Sequence, residues 1–257
     1  MKLLTGLTFL ICILFPSWLL AQNTKDSLQI AVISDVHIMS PELLKADGEA
    51  FQNYVKHDRK MLKESPELLG VVIDRLLEVH PQVVLIPGDL TKDGEYVSHH
   101  FLADRYLSKL KSAGIRVFVV PGNHDVNNPH AEAFNGKEKE RVRTVTPEEF
   151  AGCYASYGYG EAIARDEASL SYVVQLTDSV RLLCIDACKY KENDYDKNIC
   201  VTGGRIKPET MSFIEIQTAD ARAKGMRVMA MMHHGIVQHW KWQDKVMKEY
   251  LVDDWKK

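Results

Sequence analysis

Four times along this chain an apolar run stops abruptly at a short block of Asp, Asn or His. Ile30 to Ser34 leads into Asp35-Val36-His37, and Val83 to Ile86 into Pro87-Gly88-Asp89. Ile115 to Val120 leads into Pro121-Gly122-Asn123-His124-Asp125, and Met226 to Met232 into His233-His234-Gly235. Short continuous apolar runs of this kind predict buried strands. In α/β proteins the carboxyl ends of such strands carry the chemistry. Four strands that each end in carboxylate, amide or imidazole groups would gather metal donors on one rim, not a cradle for a nucleotide.

The segments between the runs have helical spacing. Ser65-Pro66 starts a helix in which Leu68, Leu69, Val72, Ile73, Leu76 and Leu77 share one face, and it ends near His80-Pro81. After Asp89 a second helix, with Val97, Phe101, Leu107 and Leu110 inward, runs to Gly114. This βαβαβ order predicts a parallel sheet with three of the polar blocks at its carboxyl edge. Further on, Thr146-Pro147-Glu148-Glu149 forms a capping box that opens a short helix through Tyr157. Ser169 to Leu176 and Val180 to Ile185 flank Thr177-Asp178-Ser179 as a hairpin of a second sheet. A helix from Pro208 to Ala223, ending at Gly225, precedes the last apolar run.

Taken in order, D-x-H, G-D, G-N-H-D and a strand-terminal His resemble the calcineurin-like metallophosphoesterase superfamily over about Leu28 to Val237. The ordered set is more specific than any block alone, since Asp35, Asp89 or Asn123 taken singly could be a cap or a turn residue. The resemblance implies an α/β fold, a four-layer αββα sandwich of two mixed β-sheets flanked by helices. It implies hydrolysis of a small phosphomonoester or phosphodiester by a hydroxide on a centre of two divalent or trivalent ions, manganese, iron or zinc. By the same resemblance Asp35 and His37 hold the first metal with Asp89, and Asn123 and His233 hold the second. Asp89 suits a bridge because one carboxylate can give an oxygen to each ion. Two residues apart on an extended segment, Asp35 and His37 would project to the same side. The resemblance makes His124 the group that protonates the leaving alkoxide or steadies the transition state, with Asp125 orienting it. Gly88 and Gly122 would let backbone pass close to metal and phosphate. The family's G-H-x-H block is absent, because no His follows His239. The expectation is therefore a domain over residues 22–257 that is shortened at its C-terminal end. The alternative is a degenerate, non-catalytic relative that binds metal or a phosphorylated ligand.

Met1 to Ala21 carries Lys2, an apolar stretch and Ala21 before a polar sequence, and reads as a signal peptide. A secreted or periplasmic protein with no stable membrane anchor after cleavage is expected, an uncleaved anchor being the rival reading. Removing Lys2 with that segment moves the net charge from −3 to −4. With no basic stripe, no nucleic-acid partner is expected, and Lys137 to Arg143 reads as a solvated loop or helix. Cys188 and Cys200 flank a polar loop and are the pair to test for a disulfide, while Cys184 reads as a buried thiol. His234 is not expected to be a ligand, and His99 and His100 read as surface or packing residues. Trp240, Trp242 and Trp255 are expected to pack in the core. Pro41 to Ser65 and Asn127 to Thr146 are insertions beside the rim, where loops would set specificity.

Overall fold

The computed structural model of the protein describes residues 27–253, 255 and 256. The expected signal peptide lies outside them. The strands are β1 (Ile30–Val32), β2 (Leu44–Ala46), β3 (Val83–Pro87), β4 (Arg116–Val120), β5 (Glu132–Asn135), β6 (Glu138–Arg141), β7 (Ala164–Arg165), β8 (Tyr172–Thr177), β9 (Val180–Ile185) and β10 (Arg227–Met232). The helices are α1 (Glu49–Lys56), α2 (Ser65–Val79), α3 (Tyr96–Leu102), α4 (Ser108–Ser112), α5 (Pro147–Cys153), α6 (Pro208–Ala223) and α7 (Gln243–Val246). All four apolar runs of the sequence are strands.

The first sheet has the order β1-β3-β4, all parallel, and the second the order β10-β9-β8-β7. In the second sheet β10 runs parallel to β9, and β9, β8 and β7 are antiparallel. The inner faces pack on each other, so Val119, Val174, Leu182 and Met231 share one apolar cluster. The Tyr172 hydroxyl crosses this layer and donates to the Val119 carbonyl at 2.8 Å. Leu69 and Ile73 of α2 and Leu110 of α4 belong to the same cluster on the side of the first sheet. Phe213 and Ile214 of α6 pack on Val173, Leu183 and Ile185 from outside the second. The result is the expected four-layer αββα arrangement.

Three local expectations change. The buried face of α2 is narrower than its spacing predicts: Leu69, Ile73 and Leu76 are buried, but Leu68 and Val72 are 48% and 38% exposed. The neighbouring β1 explains this, because it is an edge strand whose Val32 is 60% exposed. A π-helical turn over Ala103–Leu107 joins α3 to α4, and its wider pitch shifts the buried stripe to Leu102, Tyr106, Leu107 and Leu110. Val97 and Phe101 are left only half-buried. Trp240 and Trp242, expected in the core, are 44% and 56% exposed.

The two insertions meet in a third sheet, of order β2-β5-β6, that the sequence reading missed. Lys137 to Arg143 is therefore neither loop nor helix but mostly the strand β6, exposed along its whole length. It pairs with β5 through a two-residue turn, and Gly136, with φ of 65°, takes the left-handed position there. Phe51 of α1 and Phe134 of β5 pack edge to face beneath it, with ring centroids 5.2 Å apart.

Candidate metal centre

The four polar blocks do converge on one rim. Beyond Val32 the chain stays beside the extension of β3: the His37 amide donates to the Asp89 carbonyl at 2.9 Å and the Ile38 amide to the Leu90 carbonyl at 3.0 Å. It is not extended there. Asp35, His37 and Asp89 have φ values of 54°, 43° and 49°, a left-handed conformation that side chains with a Cβ adopt at a cost. Asp35 and His37 consequently point to different partners, against the expectation that they project together.

Two groups of donor atoms result, each within 4.8 Å of one another: His37, Asp89 and His124, and Asp35, Asp89 and His233. Asp89 belongs to both. Asn123 stands with the second, its Oδ1 3.2 Å from His233 Nε2. The structure thus gathers every residue that the sequence proposed as a donor. It sets His124 rather than Asp35 beside His37, and Asp35 beside His233.

The hydrogen bonds show what the rim is suited to hold. His233 Nδ1 donates to the Pro87 carbonyl at 2.9 Å, since a carbonyl can only accept, and its Nε2 faces Asp89 Oδ1 at 3.5 Å. His37 repeats the pattern, with Nδ1 on the Thr91 carbonyl at 3.3 Å and Nε2 facing Asp89 Oδ2 at 3.4 Å. Ring nitrogens that face the two oxygens of a buried carboxylate are placed to share a cation with it, a proton or a metal ion. A second ring N–H held by a backbone carbonyl is also the usual support of a metal-bound histidine. Without a cation, burial raises the pKa of Asp89 against the pull of His233 and His124. Burial, with Lys60 and His124 nearby, pushes that of His37 down to about 3, keeping its ring neutral and able to ligate. Mixed imidazole and carboxylate donors fit manganese, iron or zinc.

Asp125 has a different part from the one expected. It is buried, and its carboxylate accepts from the Leu90, Thr91 and Gly122 amides at 3.0, 2.9 and 2.8 Å and from the Thr91 hydroxyl at 3.0 Å. It locks the loop after β3 to the loop after β4. The group that touches the His124 ring is Asp93, with Oδ1 2.8 Å from Nδ1. Asp93 is itself held by the Lys92 ammonium at 2.6 Å and the Tyr54 hydroxyl at 2.8 Å. Burial disfavours a charged His124 ring, but Asp93 and Asp89 outweigh it and raise the pKa above the ordinary histidine value. The sequence reading passed over Lys92-Asp93-Gly94-Glu95. Three charged residues so close to a strand-end motif were the only signal.

Gly122 is required by the close approach of the two loops. A Cβ there would collide with the Asp89 amide and carboxylate, and one on Gly88 would lie 2.7 Å from His233 Nδ1. Cys188 and Cys200 are both free, so the disulfide proposed for test is not formed. Their thiols turn instead to the central block, Cys188 to the Pro121 carbonyl at 3.3 Å and Cys200 to the Asn123 carbonyl at 3.6 Å. Cys184 is buried, as expected. His234 turns from the rim to the Thr202 carbonyl at 2.9 Å, and His99 is buried between the Tyr154 hydroxyl and the Asp125 carbonyl, each at 2.8 Å. The rim opens on a cavity of about 700 Å³ lined by Asp35, His37, Asp89, Asn123, His124 and His233 together with Asp58, Arg59 and Lys60 of the first insertion.

The sequence model of the calcineurin-like phosphoesterase family matches residues 28–254. Among solved structures, a dimetal phosphatase from Danio rerio superposes with a TM-score of 0.50 at 17% identity, over 82% of this chain and 70% of its own. A purple acid phosphatase from yellow lupin (Lupinus luteus) seeds gives a TM-score of 0.41 at 15% identity, over 81% of this chain and 30% of its own. No curated protein matches the sequence.

Proposed function

This chain belongs to the calcineurin-like phosphoesterase family, and on that premise we propose that it hydrolyses a small phosphate ester at a centre of two metal ions. The observation that carries the reading is Asp89, the one carboxylate common to both donor groups, with Nε2 of His37 facing one oxygen and Nε2 of His233 the other. When bound, two such ions lower the pKa of a coordinated water toward about 7 and offset charge on the phosphoryl oxygens.

The residues supply the rest. Asp35, His37, Asp89, Asn123 and His233 would hold the ions, and His124, whose ring stands in the group around His37, is assigned to the proton instead because Asp93 engages its Nδ1. His124 keeps Nδ1 on Asp93, which leaves Nε2 to face the cavity. Its raised pKa favours the charged ring, which can pass a proton from Nε2 to the leaving oxygen as the P–O ester bond breaks and the hydroxyl of water joins phosphorus; the water's other proton passes to solvent, from which the ring is reprotonated. Asp125 keeps both loops in register during the reaction. The products are an alcohol and a phosphate, or a phosphomonoester where the substrate is a diester.

The test is hydrolysis of p-nitrophenyl phosphate and bis-p-nitrophenyl phosphate with added manganese or zinc. Turnover is expected to stop with a chelator, and His124→Ala is expected to lower kcat by about 10²- to 10⁴-fold with metal still bound. Tight metal binding with no turnover of any ester would contradict the reading and favour a non-catalytic relative.

A further inference from the structure

Lys60 does not belong to any of the four blocks. It follows α1 in the first insertion, in a turn where its amide donates to Asp58 Oδ1 at 3.0 Å. From there its side chain, 19% exposed, crosses the mouth of the cavity and places Nζ 3.4 Å from both ring nitrogens of His124. Its only carboxylate partner within 4 Å among the described residues is Asp58, at a long 3.8 Å. Asp93, the strong acceptor nearby, is already taken by Lys92, Tyr54 and His124.

An ammonium in this place has little reason to stay for the protein alone. It stands at the mouth of the cavity beside the His124 ring, with Asp58 as a long ion-pair partner and the buried Asp93 already occupied. The cavity that Lys60 shares with the metal donors is where a phosphoryl group would be anchored.

Resting on the phosphoesterase reading above, we infer that Lys60 binds the second negative charge of a phosphomonoester and makes monoesters the preferred substrate class of this site. A monoester carries close to two charges at neutral pH, because its second pKa is about 6, whereas a diester carries one. The compact ammonium of lysine answers such a point charge. The diester has an alkyl or aryl group in place of the oxygen that Lys60 would meet.

The experiment compares kcat/KM for p-nitrophenyl phosphate and bis-p-nitrophenyl phosphate in the metal-loaded protein, in Lys60→Met and in Lys60→Arg, with thermal melting to confirm that each variant is folded. Lys60→Met is expected to lower kcat/KM for the monoester by about 10- to 100-fold, through KM more than kcat, and to lower that for the diester by less than about 3-fold. The inhibition constant of inorganic phosphate rises with it, and Lys60→Arg restores most of the monoester preference. An equal fall for both esters, or no change in either, overturns the inference and leaves the phosphoesterase reading standing. Failure of the unaltered protein to hydrolyse either ester overturns both.

Discussion

Asp89, Asn123 and His124 follow β3 and β4, strands buried along nearly their whole length, whereas Asp35, His37 and His233 follow β1 and β10, whose residues are mostly open to solvent. The inner blocks are welded together by one buried carboxylate, Asp125, which accepts four hydrogen bonds across the two loops. Among the described residues no buried side chain braces the outer blocks in this way: backbone hydrogen bonds carry the first along the β3 extension, His37 N to the Asp89 carbonyl at 2.9 Å and Ile38 N to the Leu90 carbonyl at 3.0 Å, and the donor side chains themselves are held lightly. His37 reaches Thr91 and His233 reaches Pro87 through single ring N–H groups, and the Asp35 carboxylate is met by the hydroxyl of neighbouring Ser34. The inner half is thus set by the protein. On the proposed function, the outer half would be completed by the cations that draw its ring nitrogens and Asp89 together.

That division can be broken at Asp89, where the effect is expected to be largest. Asp89→Ala removes the residue common to both donor groups and should lower kcat by more than the roughly 10⁴-fold upper range of a lost general acid. Activity within tenfold of the unaltered protein would show that the two groups do not depend on it. Next in size is Asp125→Ala, which leaves the amides of Leu90, Thr91 and Gly122 without their acceptor and should cost ~3 kcal/mol or more in urea unfolding. A loss below ~1 kcal/mol would mean that the inner loops are held by something else. The smallest effect is expected at the outer edge. Val32→Thr on β1 should change stability by no more than ~0.5 kcal/mol, since the side chain is already 60% exposed. A loss of several kcal/mol there would show that the edge is covered in solution.

What the sequence made legible follows the same line. Apolar runs that end in donor residues are local signals, and all four became strands with their blocks on one rim. The capping box at Thr146 and Glu149 and the helix Pro208–Ala223 are local in the same way. The third sheet was not legible because β2 is three residues long and its partner β5 lies far along the chain. Only the Asn135-Gly136 turn announced the β5–β6 half. The role of Asp93 was hidden because it depends on the buried Lys92 and the half-buried Tyr54 around it, which no spacing reveals. Asp125 lay in a recognised motif, yet its partners are Gly122 of that motif and Leu90 and Thr91 of the β3 loop rather than the adjacent His124 ring. Lys60 carried no motif at all, and only the path of the first insertion brings it to the cavity.

The most direct measurement is the number of metal ions kept by the folded protein after loading with manganese or zinc and desalting. The account predicts two per chain, with hydrolysis rising in step with occupancy. A folded protein that keeps none would contradict it, because Nε2 of His37 and of His233 would then face Asp89 for some reason other than a metal.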